Sequence, residues 1–173
     1  MYRTVTALFL LLGTNAAADP SVCWALRETL PEKIMEFDLG QKEDHEDDRP
    51  GFGYSAHYDG ADATLTADFF DLGKTAFGGE DSRELLEASL LAIMLEYEGN
   101  GGTYEPETVT GLGDPDFLFD YIALGDDSFG RAQFVAVAAL QACMLRLRYS
   151  GPAGQDSASH FLDAMGMIHV VLQ

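Results

Sequence analysis

The chain has 173 residues, with ten lysines and arginines against 29 aspartates and glutamates, a formal net charge of −19. Such a polyanion repels nucleic acid and anionic lipid, so the composition excludes both as partners. The length suits one domain able to bury a core, and neither repeats nor low-complexity blocks divide it.

The first 18 residues, MYRTVTALFLLLGTNAAA, place one cation, Arg3, before an apolar run from Ala7 to Leu12 and the small residues Ala16, Ala17 and Ala18. This is the layout of a cleaved secretory signal, and its apolar run is far shorter than the ~20 residues that span a bilayer. The expectation is a signal peptide at 1–18, a single domain at 19–173, periplasmic or secreted localisation, and no membrane insertion. Cys23 follows Pro20, Ser21 and Val22 and lacks the small residue wanted just before a lipidated cysteine, so no lipid anchor is expected. The two cysteines, Cys23 and Cys143, invite a disulfide in an oxidising compartment; the competing reading is two small buried hydrophobes.

Asp19, Pro20 and SVCWALRETL predict a short capped helix that stops before Pro31. IMEFDLG (34–40) follows as a short strand. QKEDHEDDRPG (41–51) is dense in charge and closed by Pro-Gly, which predicts a solvated loop. Next, Phe52, Tyr54, Ala56 and Tyr58 alternate with Gly53, Ser55, His57 and Asp59. Beyond a turn at Asp59, Gly60, Ala61 and Asp62, the set Ala63, Leu65, Ala67 and Phe69 alternates with Thr64, Thr66 and Asp68. Two period-two runs joined through Asp-Gly make a hairpin with His57 and Asp68 on its polar face.

The period then changes. Asp81, Ser82, Arg83 and Glu84 form a capping arrangement ahead of LLEASLLAIMLEYEG (85–99). That stretch is apolar around most of its circumference, which predicts a buried helix ending at Gly99. Loop signals follow at 100–102 and 111–115, then a strand at 116–124 with a turn at 125–130. Alanine and leucine in RAQFVAVAALQACMLRLRYSG (131–151) suit a 20-residue helix. The strict alternation of Leu145, Leu147 and Tyr149 with Arg146, Arg148 and Ser150 argues for two strands and a turn near 140–142, because a helix turns the two arginines roughly 200° apart. Asp156 or Ser157 caps a last helix whose stripe is Phe161, Met165, Ile168 and Leu172. The expected class is α+β: a mainly antiparallel sheet of five or six strands, packed with a central buried helix and a C-terminal helix.

GFGYSAHY, ADFFDLG and MLRLRYSGP, in this order with a helix between the second and third, resemble the pattern of a group of exported bacterial proteins of unassigned function. That group carries a Gly-x-Gly-x-Ser-x-x-Tyr strand, a Tyr-x-Tyr-Asp-x-Gly strand end and a Lys-x-Arg-x-Ser/Thr-x-Pro strand. Here Asp68 and Phe70 stand near the second strand's end, and Arg146 replaces the lysine. At fold level the order also resembles the PsbP-like domain, an analogy that transfers no function. The resemblance implies export and assigns no chemistry.

No catalytic motif emerges. Gly53-Tyr54-Ser55-Ala56-His57 has histidine where a nucleophile elbow has its second glycine, and Cys143 and His57 are predicted on opposite faces. Glu43, Asp44, His45, Glu46, Asp47 and Asp48 offer metal donors but lack calcium-loop spacing, and His160 and His169 lie nine residues apart, so no metal is expected. Gly99, Asn100, Gly101 and Gly102 follow a helix instead of opening one, so no nucleotide cofactor is expected either. What remains is the polar sheet face, with His57, Asp68, Arg146 and Arg148 as candidate binding residues. The expected function is non-enzymatic: an interaction or accessory factor of the cell envelope. The alternative is a small hydrolase or ligand-binding protein on the same face.

Overall fold

The computed structural model describes residues 21–74, 80–99, 117–126, 130–140 and 142–172. The expected signal segment and the expected glycine loops at 100–102 and 111–115 lie outside them. The elements run α1 Val22–Thr29, β1 Lys33–Ile34, β2 Phe37–Asp44, β3 Tyr54–Asp59, β4 Thr64–Phe70, α2 Glu80–Gly99, β5 Phe117–Asp126, β6 Arg131–Leu140, β7 Cys143–Pro152 and α3 Gln155–Val171. All the described strands join one antiparallel sheet in the order β1-β2-β3-β4-β7-β6-β5. Six are full strands and β1 is a two-residue edge, so the α+β class with a C-terminal helix is as expected.

Ser21, not Asp19, caps α1: its Oγ accepts from the Trp24 amide at 3.1 Å. The 34–40 segment is not one strand. Met35 takes a φ of 53° and turns β1 back on β2, pairing Ile34 with Phe37. β2 then runs to Asp44, into the stretch expected to be a loop. The register slips between Leu39 and Gln41, a bulge at Gly40 that inverts which residues face inward. The remaining loop is braced from within: the Glu46 carboxylate accepts from the amides of Gly51 (3.0 Å) and Gly53 (2.7 Å). Gly53 has a φ of 72°, and a Cβ there would fall 1.7 Å from the Phe69 carbonyl oxygen, so only glycine fits.

The β3–β4 hairpin forms as its alternation predicts, with Tyr54, Ala56, Tyr58, Leu65, Ala67 and Phe69 buried on the first face of the sheet. Phe52, just before it, is exposed. The 131–150 segment is two strands meeting between Leu140 and Cys143. Leu145, Leu147 and Tyr149 continue the first face, which α1 and α3 cover. On α3, Phe161, Ala164, Met165 and Ile168 are buried against it. Phe161 stacks on Phe134 at 5.4 Å and packs against Tyr149 at 6.1 Å. Ser157 of this helix is buried and donates to the Pro152 carbonyl instead of capping; Gly154 holds the cap position.

Helix α2 lies on the second face over β5 and β6. Leu86 and Leu90 pack there on Val135, Val137, Ala139 and Met144. The helix expected to be buried thus packs on the sheet, with Leu91 and Leu95 left exposed on its outer side.

Cys23 of α1 and Cys143 at the start of β7 form a buried disulfide with Cα atoms 5.3 Å apart, bridging 120 residues of sequence. Cross-linking so long a loop removes about 3–5 kcal/mol of chain entropy from the unfolded state. The double variant Cys23→Ala/Cys143→Ala, or wild type in reductant, is therefore expected to lose stability of that order in urea unfolding. Equal stability with and without reductant would show that the bridge contributes nothing.

Candidate functional site

Strand parity puts Ser55 and His57 of β3, Thr66 and Asp68 of β4, and Arg146 and Arg148 of β7 on the second face, beside the strip that α2 covers. The four residues singled out in the sequence, His57, Asp68, Arg146 and Arg148, thus share one face. Asp68 sits opposite Ser55 on one side and Arg146 on the other; Thr66 sits opposite His57 and Arg148.

Asp68 is not on a solvated surface: it is 5% exposed. A carboxylate so buried needs its charge matched and its lone pairs filled. Arg146 supplies Nε and Nη2, both 2.9 Å from Oδ2. Arg148 supplies Nη2, at 3.1 Å from Oδ2 and 3.3 Å from Oδ1. Ser55 donates its hydroxyl to Oδ1 at 2.7 Å. Burial alone drives the Asp68 pKa up, but Arg148, Arg146 and the Ser55 hydroxyl outweigh it and hold the carboxyl below its ordinary 3.8.

The network continues outward. His45 Nε2 lies 3.0 Å from Ser55 Oγ, and His57 Nδ1 lies 3.3 Å from Thr66 Oγ1. Glu43 Oε2 is 3.7 Å from His45 Nε2 and 3.6 Å from His57 Nε2. The two rings approach it from opposite ends of the strand, since His45 is level with Gly53 and His57 with Gln41. Among the described residues, no three histidines, cysteines or acids form a cation cage.

The order of these contacts limits the chemistry. In a hydrolytic triad the serine proton goes to histidine, which the aspartate orients. Here the Ser55 proton goes to Asp68 itself, and His45 meets the serine oxygen from the other side. Ser55 is only 3% exposed, and Asp68, its basicity lowered by two guanidiniums, is a poor base. Cys143 is tied in the disulfide and offers no thiolate.

No family model matches the chain, and no curated protein or solved structure matches it.

The arginines retain donors. A guanidinium has five N–H groups. Arg146 spends its Nε–Nη2 edge, and Arg148 spends Nη2 alone. The two side chains are 35% and 49% exposed, and they line a groove of about 520 Å³ between α2 and the β2–β3–β4–β7 face. Arg49, Phe52, Phe70 and Leu72 close its other side. Arg146 also stands over the Phe70 ring, 5.9 Å from its centroid.

His45 and Glu43, weighed in the sequence only as metal donors, and Ser55, weighed as a nucleophile, were not among the candidate binding residues. The first two fell in the stretch taken for a charged loop. The available signal was the pair Glu43 and His45 two residues apart, a strand period visible only once the bulge at Gly40 is allowed for.

Asp68→Asn is expected to destabilise the fold at pH 7 by about 2–4 kcal/mol, because it unmatches a buried ionic cluster. A depressed folded-state pKa contributes stability that is present above about pH 4 and lost as pH falls through the folded value. The gap between wild type and Asp68→Asn should therefore narrow in urea unfolding as pH drops from 7 to below 4. A gap independent of pH would contradict the ionic account.

Proposed function

We propose that this chain is an exported protein, periplasmic or secreted after loss of residues 1–18, which serves the cell envelope as a binding or accessory factor through the groove on the second face of the sheet. The observation that carries this is the use of Arg146 and Arg148. Both neutralise one buried carboxylate, yet each keeps N–H donors at the groove surface. Guanidiniums held in place by an ion pair are preorganised donors, and binding to them loses less side-chain entropy than binding to free arginines.

Other features support the reading. The disulfide suits an oxidising compartment, and the likeness of GFGYSAHY and MLRLRYSGP to exported proteins points the same way. No described helix is long and apolar enough to cross a membrane. The reversed Ser55–Asp68 arrangement makes binding a better reading than hydrolysis.

Mass spectrometry of the protein recovered from its own host tests this. The denatured mass should equal residues 19–173 less two hydrogens. The native mass should carry an adduct that Arg146→Gln/Arg148→Gln removes. A full-length chain with free thiols would overturn export, and a bare native mass for both proteins would overturn the groove.

A further inference from the structure

We infer that the groove takes a small monocarboxylate with an apolar body, the acid group on Arg146 and Arg148 and the body along Phe52, Phe70 and Leu72. This rests on the groove reading above and names its ligand class. The donors come first. Because Arg146 faces Asp68 with its Nε–Nη2 edge, the Nη1–Nη2 end of the same group remains, a two-pronged fork of the kind that holds a carboxylate. Arg148 adds Nε and Nη1. Among the described residues, neither arginine makes a polar contact with any group but Asp68.

The apolar part has a place beside them. Phe52 is 55% exposed and Leu72 49%, large side chains left uncovered on the groove wall. Phe70 is half-buried between them and Arg146. Arg49 stands over the Phe52 ring at 5.1 Å and holds it in place. An apolar chain laid there would remove this surface from water, the main source of affinity for a small ligand.

The charge count selects among anions. Glu43 and Glu96 also line the groove, so three acids with Asp68 face the three arginines 49, 146 and 148. A single negative charge can sit at the arginine end while its neutral body passes the acids. A dianion such as phosphate doubles its attraction to the arginines and its repulsion by the acids alike, so a balanced patch gives it no gain over a monoanion to offset its larger dehydration cost.

The test is isothermal calorimetry on the disulfide-intact protein lacking residues 1–18, isolated by export, with octanoate, octanol and octyl phosphate below their micellar concentrations. Octanoate is expected to bind at least about tenfold more tightly than the other two. Arg148→Gln should weaken it about ten- to hundredfold, the usual effect of losing a charge-assisted hydrogen bond, and Phe52→Ala should weaken octanoate without affecting circular dichroism. Leu162→Ala, on α3 beyond the opposite face, should change nothing. Should Arg148→Gln fail to fold, Phe52→Ala and the octanol comparison still decide the matter. Octanoate binding no tighter than octanol, or unchanged in both groove variants, overturns the inference. Tighter, Arg148-dependent binding of octyl phosphate overturns the monocarboxylate class and leaves the groove reading intact. Silence with all three probes overturns the class as well; the groove reading then stands if the native-mass adduct persists and falls with it if that too is absent.

Discussion

Among the described strands, the pairing of β4 with β7 is the seam that joins two locally built halves of the sheet. Strands β1 to β4 follow one another through short turns and the loop 45–53, and β5 to β7 through short connections; β4 and β7 meet across about 80 residues of sequence. Closing so long a loop costs entropy before any contact repays it. Both faces of the protein depend on that closure. On the first, Leu65, Ala67 and Phe69 come beside Leu145, Leu147 and Tyr149 to floor the core. On the second, Asp68 comes opposite Arg146. The disulfide sits at one end of the seam, one residue from the Phe70–Met144 pair, and ties it to α1.

Charge reinforces the register of this seam. Slipping β7 by one residue exchanges its faces, placing Arg146 and Arg148 in the core and Leu145 and Leu147 on the polar side. The same slip strands Asp68 without a cation. An uncompensated buried carboxylate costs several kcal/mol, whereas the intact pair does little better than an apolar replacement would. The ionic cluster therefore raises the cost of the wrong pairing more than it stabilises the right one, and the site residues are also register markers.

Local patterning in the sequence reported this structure well where parity was unbroken. The Leu145, Leu147, Tyr149 alternation outweighed the helix propensity of the alanines before it, because a half-buried strand exposes its period while propensity amounts to only tenths of a kcal/mol per residue. Parity failed at Gly40, where the bulge inverts the faces of β2, and the charge density of Gln41 to Asp44 reads as loop, so Glu43 and His45 were set aside with a solvated charge run. Alternation also names a face without saying what stands above it. Asp68 was placed on the correct side, but its burial comes with the two arginines of a strand distant in sequence, which alternation does not report. For α2 the pattern named a buried helix, apolar around most of its circumference, without saying which flank stays uncovered; Leu91 and Leu95 are exposed.

The division of the second face explains why a groove exists. Val135, Val137, Ala139 and Met144 give α2 a dry footing, and the helix lies there. Over β3 and β4 the same face carries Ser55, His57, Thr66 and Asp68, and β7 adds the arginines. Covering them with an apolar helix would strip water from guanidinium groups that Asp68 alone cannot satisfy. The helix stops short, and its flank becomes a wall. In a chain of net charge −19 this leaves a locally balanced patch within a negative surround. At physiological ionic strength that surround is screened beyond about 8 Å, so an anion gains little from steering and meets the arginines only on contact. Affinity must then come from what the anion carries with it, and the uncovered Phe52 and Leu72 favour an apolar load.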